Sequence, residues 1–275
     1  MEKNQVFERP SSHPSPLLTG AKAPFASPFR FRIFAIVPAW NEAEQIGRVI
    51  TCIPSWVERI VVVDDGSTDG TGAQAMAHGD ERLELLTHPR RQGVGAAIES
   101  GYRFAFSHGA EVAVVMAGDG QMCPSDLESL LAPIQAGMAD YVKGNRLDHP
   151  ERASIPFWRR LGGELCSAFT SMTLGQRIRD SQCGYTAITR HAWEQISAFP
   201  LWPSYGYPND LLVRLYRLGL RVAQVPVRPV YVKKNKGMRP WHVLLIPLAI
   251  AFSVWKCRRI QGADRVSDKL LSSLP

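Results

Sequence analysis

The chain has no GxxxxGK[ST] phosphate loop, no HExxH pair and no cysteines at close metal-ligand spacing. Those absences set aside P-loop nucleotide hydrolysis and a zinc hydrolase, because each chemistry needs its ligating groups at fixed offsets. Gly93-Val94-Gly95 does not follow a first strand, so the dinucleotide-binding fingerprint is missing too. The five cysteines (Cys52, Cys123, Cys166, Cys183, Cys257) are scattered and odd in number. That pattern argues for reduced thiols in a cytosolic setting and against a disulfide framework. Residues 1–30 contain no continuous apolar run, which excludes a secretory signal; rich in Pro and Ser, they read as a disordered tail.

Acidic residues are missing altogether from Leu211 to Ala263, a stretch that holds Arg214, Arg217, Arg221, Arg228, Lys233, Lys234, Lys236, Arg239, Lys256, Arg258 and Arg259. These cations more than account for the net charge of +7, so the remainder of the chain is slightly acidic. A basic C-terminal quarter suits a membrane surface with anionic lipids, or an anionic substrate. Nucleic acid would suit the tail but not the acidic cleft expected below.

With 275 residues, 45% apolar and 21% charged, the chain is an ordinary globular composition, and disorder throughout is excluded. Regular patterning begins at Phe31. Residues 31–37 form a short apolar run ended by Pro38, which predicts a buried strand. Apolar residues at helical spacing follow from Glu42 to Ile53. The run Arg59–Val63 predicts a second buried strand. A small-residue helix, a strand at Leu83–Leu86, a helix from Gly93 to Phe106 and a strand at Val112–Met116 continue the alternation. Strands alternating with helices imply right-handed βαβ units in an α/β fold with a mostly parallel sheet. In such sheets ligands bind beyond the carboxyl ends of the strands. That rule gathers the loops Pro38–Glu42, Asp64–Thr71 and Gly118–Pro124, all polar and all carrying carboxylates.

Clustered carboxylates at strand ends suit a hard divalent cation, which in turn neutralises a diphosphate. Asp119-Gly120-Gln121 offers a carboxylate and an amide oxygen to Mg2+ or Mn2+, although Asp-Gly is also a common turn dipeptide. Likewise, Asp64-Asp65-Gly66-Ser67 is equally a strand-to-helix turn with Ser67 or Asp69 as N-cap.

The motifs in combination are more specific. Pro38-Ala39-Trp40-Asn41-Glu42, then Val63 to Thr71, then Arg91-Gln92-Gly93-Val94-Gly95-Ala96-Ala97, then Gly118-Asp119-Gly120-Gln121 occur in this order. In this the chain resembles family 2 glycosyltransferases of the GT-A fold, in particular the polyprenyl-phosphate, dolichyl-phosphate mannosyltransferase-like branch, over roughly residues 31–235. The resemblance implies a Rossmann-like sheet flanked by helices. It implies nucleotide contacts from Pro38, Ala39, Trp40, Glu42, Asp64, Asp65, Gly66, Gly95 and Asp119, and metal ligation by Asp119 and Gln121. The first Asp of the family's DxD is replaced here by Ala117. Arg146, in Gly144-Asn145-Arg146, and the pair Arg159-Arg160 match acceptor-phosphate contacts. Asp180, in Asp180-Ser181-Gln182-Cys183-Gly184-Tyr185, matches an element near the sugar. Asn209-Asp210 matches the late acidic motif, and Lys233, Lys234 and Arg239 match a basic loop over the diphosphate. Plainer readings stand beside these: Trp40 as a core aromatic, Arg146 and Arg160 as solvated charges, Asp180 as a turn cap, and Asp210 as N-cap of a helix Leu211–Leu218.

The implied reaction is an in-line displacement with inversion, from a UDP- or GDP-linked sugar to a polyprenyl phosphate. A phosphate monoester has a second pKa of about 6, so it needs cations to position it more than a base to activate it. Residues 236–275 are expected to form a membrane-associating helical segment. Trp241–Trp255 would reach only about 22 Å as a helix, short of the ~30 Å hydrocarbon core. Its tryptophans and the following Lys256, Arg258 and Arg259 suit a peripheral position at the cytoplasmic face, while packing on the domain is the alternative. The helical stretch Phe157–Leu174 is a second candidate for guiding a lipid, or an ordinary core helix. Rival functions are transfer to a saccharide hydroxyl, and an inactive nucleotide-sugar-binding homologue favoured by Ala117.

Overall fold

The computed structural model describes residues 27–230, together with Ile250 and Ala251. Two apolar runs make the centre of a sheet: β1 (Ile33–Ala39) and β2 (Arg59–Asp64) pair in parallel, with Ile36 opposite Val61. All of β1 is buried, as expected of a strand covered on both faces. Burying each of its branched side chains stabilises the fold by about 1.5–3 kcal/mol. The remaining strands are β3 (Leu83–Thr87), β4 (Val112–Val115), β5 (Tyr141–Asn145), β6 (Thr186–Thr189) and β7 (Val222–Pro226). The sheet order is β3-β2-β1-β4-β6-β5-β7. Only β6 runs against the others, antiparallel to both β4 and β5.

The first strand passes through Pro38 instead of stopping before it. Met116 and Gly118 donate to the carbonyls of Ile36 and Pro38, so these residues face β4. The strand β4 ends at Val115, so the N–H that proline lacks would point beyond it, and the ladder loses nothing there.

Helices α1 (Ile46–Cys52), α2 (Thr71–Ala77) and α4 (Leu127–Gln135) cover one face of the sheet. Helices α3 (Val94–Ser107), α6 (Arg190–Ile196) and α7 (Tyr207–Arg217) cover the other. This is the expected α/β sandwich. The long helix α5 (Phe157–Leu174) belongs to neither layer; its Cys166 packs with Val213 of α7 and with Ile250. The helix α7 begins at Tyr207, four residues before the expected start, because Pro208 presets the first-turn backbone. Asp210 is therefore inside its first turn and is not the residue that precedes the helix.

The carboxyl ends of β1, β2, β3, β4, β5 and β7 meet at one edge of the sheet. Because β6 is reversed, the segment that leads into it, Asp180–Tyr185, arrives at that same edge. Of the expected tail 1–30, residues 1–26 lie outside the described residues, as do the basic loop with Lys233, Lys234 and Arg239 and most of the segment 236–275. Phe29, by contrast, packs against Trp56 with ring centroids 5.2 Å apart. Among the described residues, no helix is long and apolar enough to cross a membrane.

Candidate active site

The first two strand-end loops are sewn together. Asn41 N–H donates to Ser67 Oγ at 2.9 Å, Glu42 N–H to Thr71 Oγ1 at 2.9 Å and Ala43 N–H to Asp69 Oδ2 at 3.1 Å. In return Asn41 Oδ1 accepts from Thr68 N–H at 2.9 Å. Asn41 has a φ of 56°, a left-handed conformation that Asn tolerates better than most residues. The Ser67-Thr68-Asp69 run is thus the clasp between loops, and Asp69 also binds the Thr71 N–H at 3.0 Å. Burial works against the Asp69 charge, but the Thr71 hydroxyl and the Ala43 and Thr71 amides hold its carboxyl below the usual range.

Asp64 and Asp65 are both buried. Asp64 Oδ1 accepts from Ser67 N–H at 2.9 Å, closing its own turn. Asp65 builds the third loop: it accepts from Gln92 N–H at 2.8 Å and Gly93 N–H at 2.7 Å, and faces His88 Nδ1 at 2.8 Å. The other ring nitrogen of His88 meets Ser100 Oγ at 3.0 Å. Gly66, at φ 68°, lets this loop close in: a Cβ there would stand 2.7 Å from the Arg91 backbone nitrogen. The result is that Arg91 lies over the Trp40 ring, its guanidinium carbon 3.6 Å from the centroid. Trp40 is therefore a half-buried cleft residue and not a core aromatic.

Several residues expected at the nucleotide also tie the loops together. Pro38 and Ala39 are buried in β1, and their carbonyls accept from Gly118 N–H at 3.0 Å and Asp65 N–H at 2.9 Å. Gly95 donates its N–H to Pro203 O at 2.9 Å, and a Cβ would fall 2.0 Å from Trp202 O. The close approach that Gly95 permits is thus to the 202–204 backbone. That segment leads into Tyr205, whose phenol burial raises; Arg91, Asp119 and Glu42 all lie within range of its charge.

After β4, Asp119 accepts from Gln121 through both its backbone N–H, at 3.1 Å, and its side-chain amide. Burial raises the Asp119 carboxyl, with the Gln121 bonds and Arg146 acting the other way. A cation beside it would offset that burial. Ala117, where a second carboxylate is expected, donates its N–H to Met122 Sδ at 3.2 Å. Among the described residues no group of three or more His, Cys, Asp or Glu gathers as a metal cage. One carboxylate and one amide oxygen fit a divalent ion that brings diphosphate oxygens and waters as its other ligands, the usual habit of Mg2+.

Across the cleft, Arg146 and Asp180 form a close pair. Arg146 Nε donates to Asp180 Oδ2 at 2.8 Å, Nη2 to Oδ1 at 3.1 Å, and its backbone N–H to Oδ2 at 3.1 Å. Burial alone would push Asp180 up, but the Arg146 guanidinium, and behind it Lys143, holds it below the usual range. Arg159 is exposed on the first turn of α5, and Arg160 lies 3.8 Å from Glu164 one turn on.

Asp210 is fully buried. It is bound by Arg214 at 3.0 and 2.7 Å and accepts from Trp202 N–H at 2.8 Å. Arg214 also donates to the carbonyls of Ile196, Phe199 and Pro200. So placed, Asp210 and Arg214 anchor the 196–202 segment. The i, i+4 spacing of Asp210 and Arg214 was a signal for this pair. His88, Tyr205 and Lys143 escaped sequence reasoning, and Asn41 and Arg91 entered it only as members of motifs without a role, because each owes its place to contacts between segments far apart in the chain.

Comparisons with known proteins agree with this architecture. The description "Glycosyl transferase family 2" matches residues 34–196. A polyprenol monophosphomannose synthase of Mycolicibacterium smegmatis is 34% identical over 219 residues, covering 75% of this chain and 82% of that protein. An undecaprenyl-phosphate mannosyltransferase of Micrococcus luteus is 30% identical, covering 75% and 86%. A UDP-N-acetylglucosamine–dolichyl-phosphate N-acetylglucosaminyltransferase of Methanococcus voltae is 27% identical, covering 73% and 86%. Among solved structures, glucosyl-3-phosphoglycerate synthase from Mycobacterium tuberculosis, in complex with Mn2+, uridine diphosphate and phosphoglyceric acid, shares the fold. Its TM-score is 0.63 at 20% identity, covering 83% of this chain and 78% of that one. The chain belongs to glycosyl transferase family 2.

Proposed function

We propose that this glycosyltransferase moves a sugar from a UDP- or GDP-linked donor to a polyprenyl phosphate, with inversion, while resting on the cytoplasmic face of a membrane. The observation that carries this reading is the helix α5, which stands beside the Arg146–Asp180 pair and is turned inside out. Its inward residues are Cys166, Ser167 and Thr170, whereas Phe157, Trp158, Leu161, Leu165, Phe169 and Met172 are exposed, Trp158 at 78% and Met172 at 83%. Steps of three and four residues put this apolar row on one stripe. An exposed apolar stripe with Arg159 and Arg160 at one end suits a helix lying on lipid headgroups.

The donor is held by the loops of the β1–β4 half. Asp64, Trp40 and Glu42 border the nucleotide, with Arg91 supplying a cation at its edge. Asp119 and Gln121 would hold Mg2+ or Mn2+, which neutralises charge on the leaving diphosphate when bound. Arg146 is the planar, always charged group suited to a phosphate, and Arg159 and Arg160 lie at the lipid side. A saccharide hydroxyl would require an accessible base. Asp210 and Asp180 are both buried in ion pairs, which favours an acceptor that arrives already ionised.

The test is nucleotide release by purified protein with Mg2+ or Mn2+, a panel of UDP- and GDP-sugars, and short polyprenyl phosphate. Release that requires both metal and lipid phosphate supports the proposal and identifies the donor. Binding of a nucleotide sugar with no stimulation by lipid phosphate rejects it.

A further inference from the structure

Helix α5 buries an unusual kind of residue. A helix packed on a domain normally turns aliphatic side chains inward, yet the residues that α5 buries are Cys166, Ser167 and Thr170. Its apolar packing is slight: among the described residues, Cys166 clusters with Val213 and Ile250, and Leu174 is partly buried against them. Hydroxyl groups hold the helix instead. A serine hydroxyl has one proton to give and two lone pairs to receive. Ser167 Oγ donates to Gly163 O, one turn back, at 2.7 Å and accepts from Ser181 N–H at 2.9 Å. Ser171 repeats the arrangement one turn on, donating to Ser167 O at 2.7 Å and accepting from Ile178 N–H at 2.9 Å. Thr170, between them, reaches Asn209 Oδ1 of α7 at 2.7 Å.

The two serines bracket Asp180. Gly175, at φ 63°, turns the chain back after α5. Residues 176–181 then run along the helix in the reverse direction, Ile178 meeting Ser171 and Ser181 meeting Ser167. Ile178, Asp180 and Ser181 are all buried, so an N–H left there without its hydroxyl would be costly. The segment that carries Asp180, and through it Arg146 at 2.8 Å, is therefore fixed to the helix whose opposite face bears the exposed apolar stripe. We propose that Ser167 and Ser171 are positioning residues that couple α5 to the acceptor site: seating the stripe on lipid sets the place of Asp180, and with it the Arg146 guanidinium. This rests on the lipid-facing reading of α5 given above.

A lipid surface favours the placement of α5 that lays its whole stripe among the headgroups, and a helix with few apolar contacts behind it follows. Each serine passes that shift straight to a backbone amide, with no long side chain between. Coupling of this kind is reciprocal, so an acceptor phosphate at Arg146 tightens the hold of α5 on the membrane by the same factor. Such factors are typically about 5–150 in affinity.

The experiment measures sugar transfer by the full chain to a water-soluble isoprenyl phosphate, with and without vesicles that contain anionic lipid but no acceptor. It compares wild type with the double variant Ser167→Ala/Ser171→Ala and with Ser171→Thr, which keeps the hydroxyl. Vesicles should lower the wild-type acceptor KM about tenfold and leave the donor KM unchanged. The double variant should sediment with the same vesicles yet lose that gain, and Ser171→Thr should keep it. On wild type alone, hydrogen exchange at the Ile178 and Ser181 amides should slow when vesicles are added, so the test stands even if the double variant does not fold. Three results overturn the coupling and leave the lipid-facing helix intact: wild type that binds vesicles and gains nothing, a folded double variant that gains as much as wild type, or unchanged exchange at both amides. Wild type that does not sediment with vesicles rejects the lipid-facing reading itself.

Discussion

The two halves of the cleft are built by different means. On the donor side, the loops after β1, β2 and β3 are tied by hydrogen bonds between neighbouring backbone and short polar side chains: Asn41 to Ser67 and Thr68, Glu42 to Thr71, Asp65 to Gln92 and Gly93. Across the cleft a buried ion pair does the holding, Arg146 with Asp180, while a second, Arg214 with Asp210, anchors the 196–202 segment that leads to Gly95's neighbours. The difference fits the ligands proposed above. A nucleotide is a rigid, polar group that rewards a preformed cradle of fixed dipoles. A lipid phosphate is a charge on a mobile chain, for which charges with an apolar surface next to them are suited.

That contrast can be broken at four points, in decreasing order of effect. Asp210→Ala leaves Arg214 buried without its carboxylate; removing one partner of such a pair costs about 3–5 kcal/mol. Denaturant unfolding should show that loss, with activity per folded molecule falling far less. Asp119→Ala removes the single carboxylate of the Asp119–Gln121 clasp. Transfer should fall by about 10²–10³-fold in kcat at unchanged thermal stability, as for loss of a group that meets developing charge. Gly95→Ala drives a methyl into Trp202 O; overpacking of this kind costs about 1–3 kcal/mol and should raise the donor KM by shifting Tyr205. Replacing Trp158, Leu165 and Met172 together by Gln should change stability by less than about 0.5 kcal/mol per site, because all three are exposed. The same variant should lose binding to vesicles containing anionic lipid, measured by sedimentation.

The donor side was the more legible in sequence. Continuous apolar runs locate β1 and β2, the alternation of periods gives the α/β layers, and the strand-end rule places Asp64, Asp65 and Asp119 at one edge. What it could not supply was which atom of each residue faces the ligand. Asp65 and Gly95 are both expected at the nucleotide, yet both Asp65 oxygens accept from the 88–93 loop, and Gly95 makes room for the 202–204 backbone. Both outcomes depend on a segment more than a hundred residues away, or on the loop after the neighbouring strand β3, and local pattern carries no record of that. On the acceptor side, the helix α5 was found with its bounds, because helical propensity is local. Its inside-out orientation was not decidable, since an apolar stripe is the same in sequence whether it faces a core or a membrane. Lys143 escaped notice because a single lysine in a strand usually marks an exposed edge, and β5 is internal.

The central claim is that the sugar ends on a lipid phosphate. The most direct measurement supplies radiolabelled nucleotide sugar, divalent metal and polyprenyl phosphate to the purified protein and partitions the products between water and organic solvent. Label that moves to the organic phase only when polyprenyl phosphate is present, and not with Arg146→Lys at the same lipid concentration, is the predicted result. Label that stays in water as free sugar or on a soluble saccharide, with or without the lipid, would contradict it.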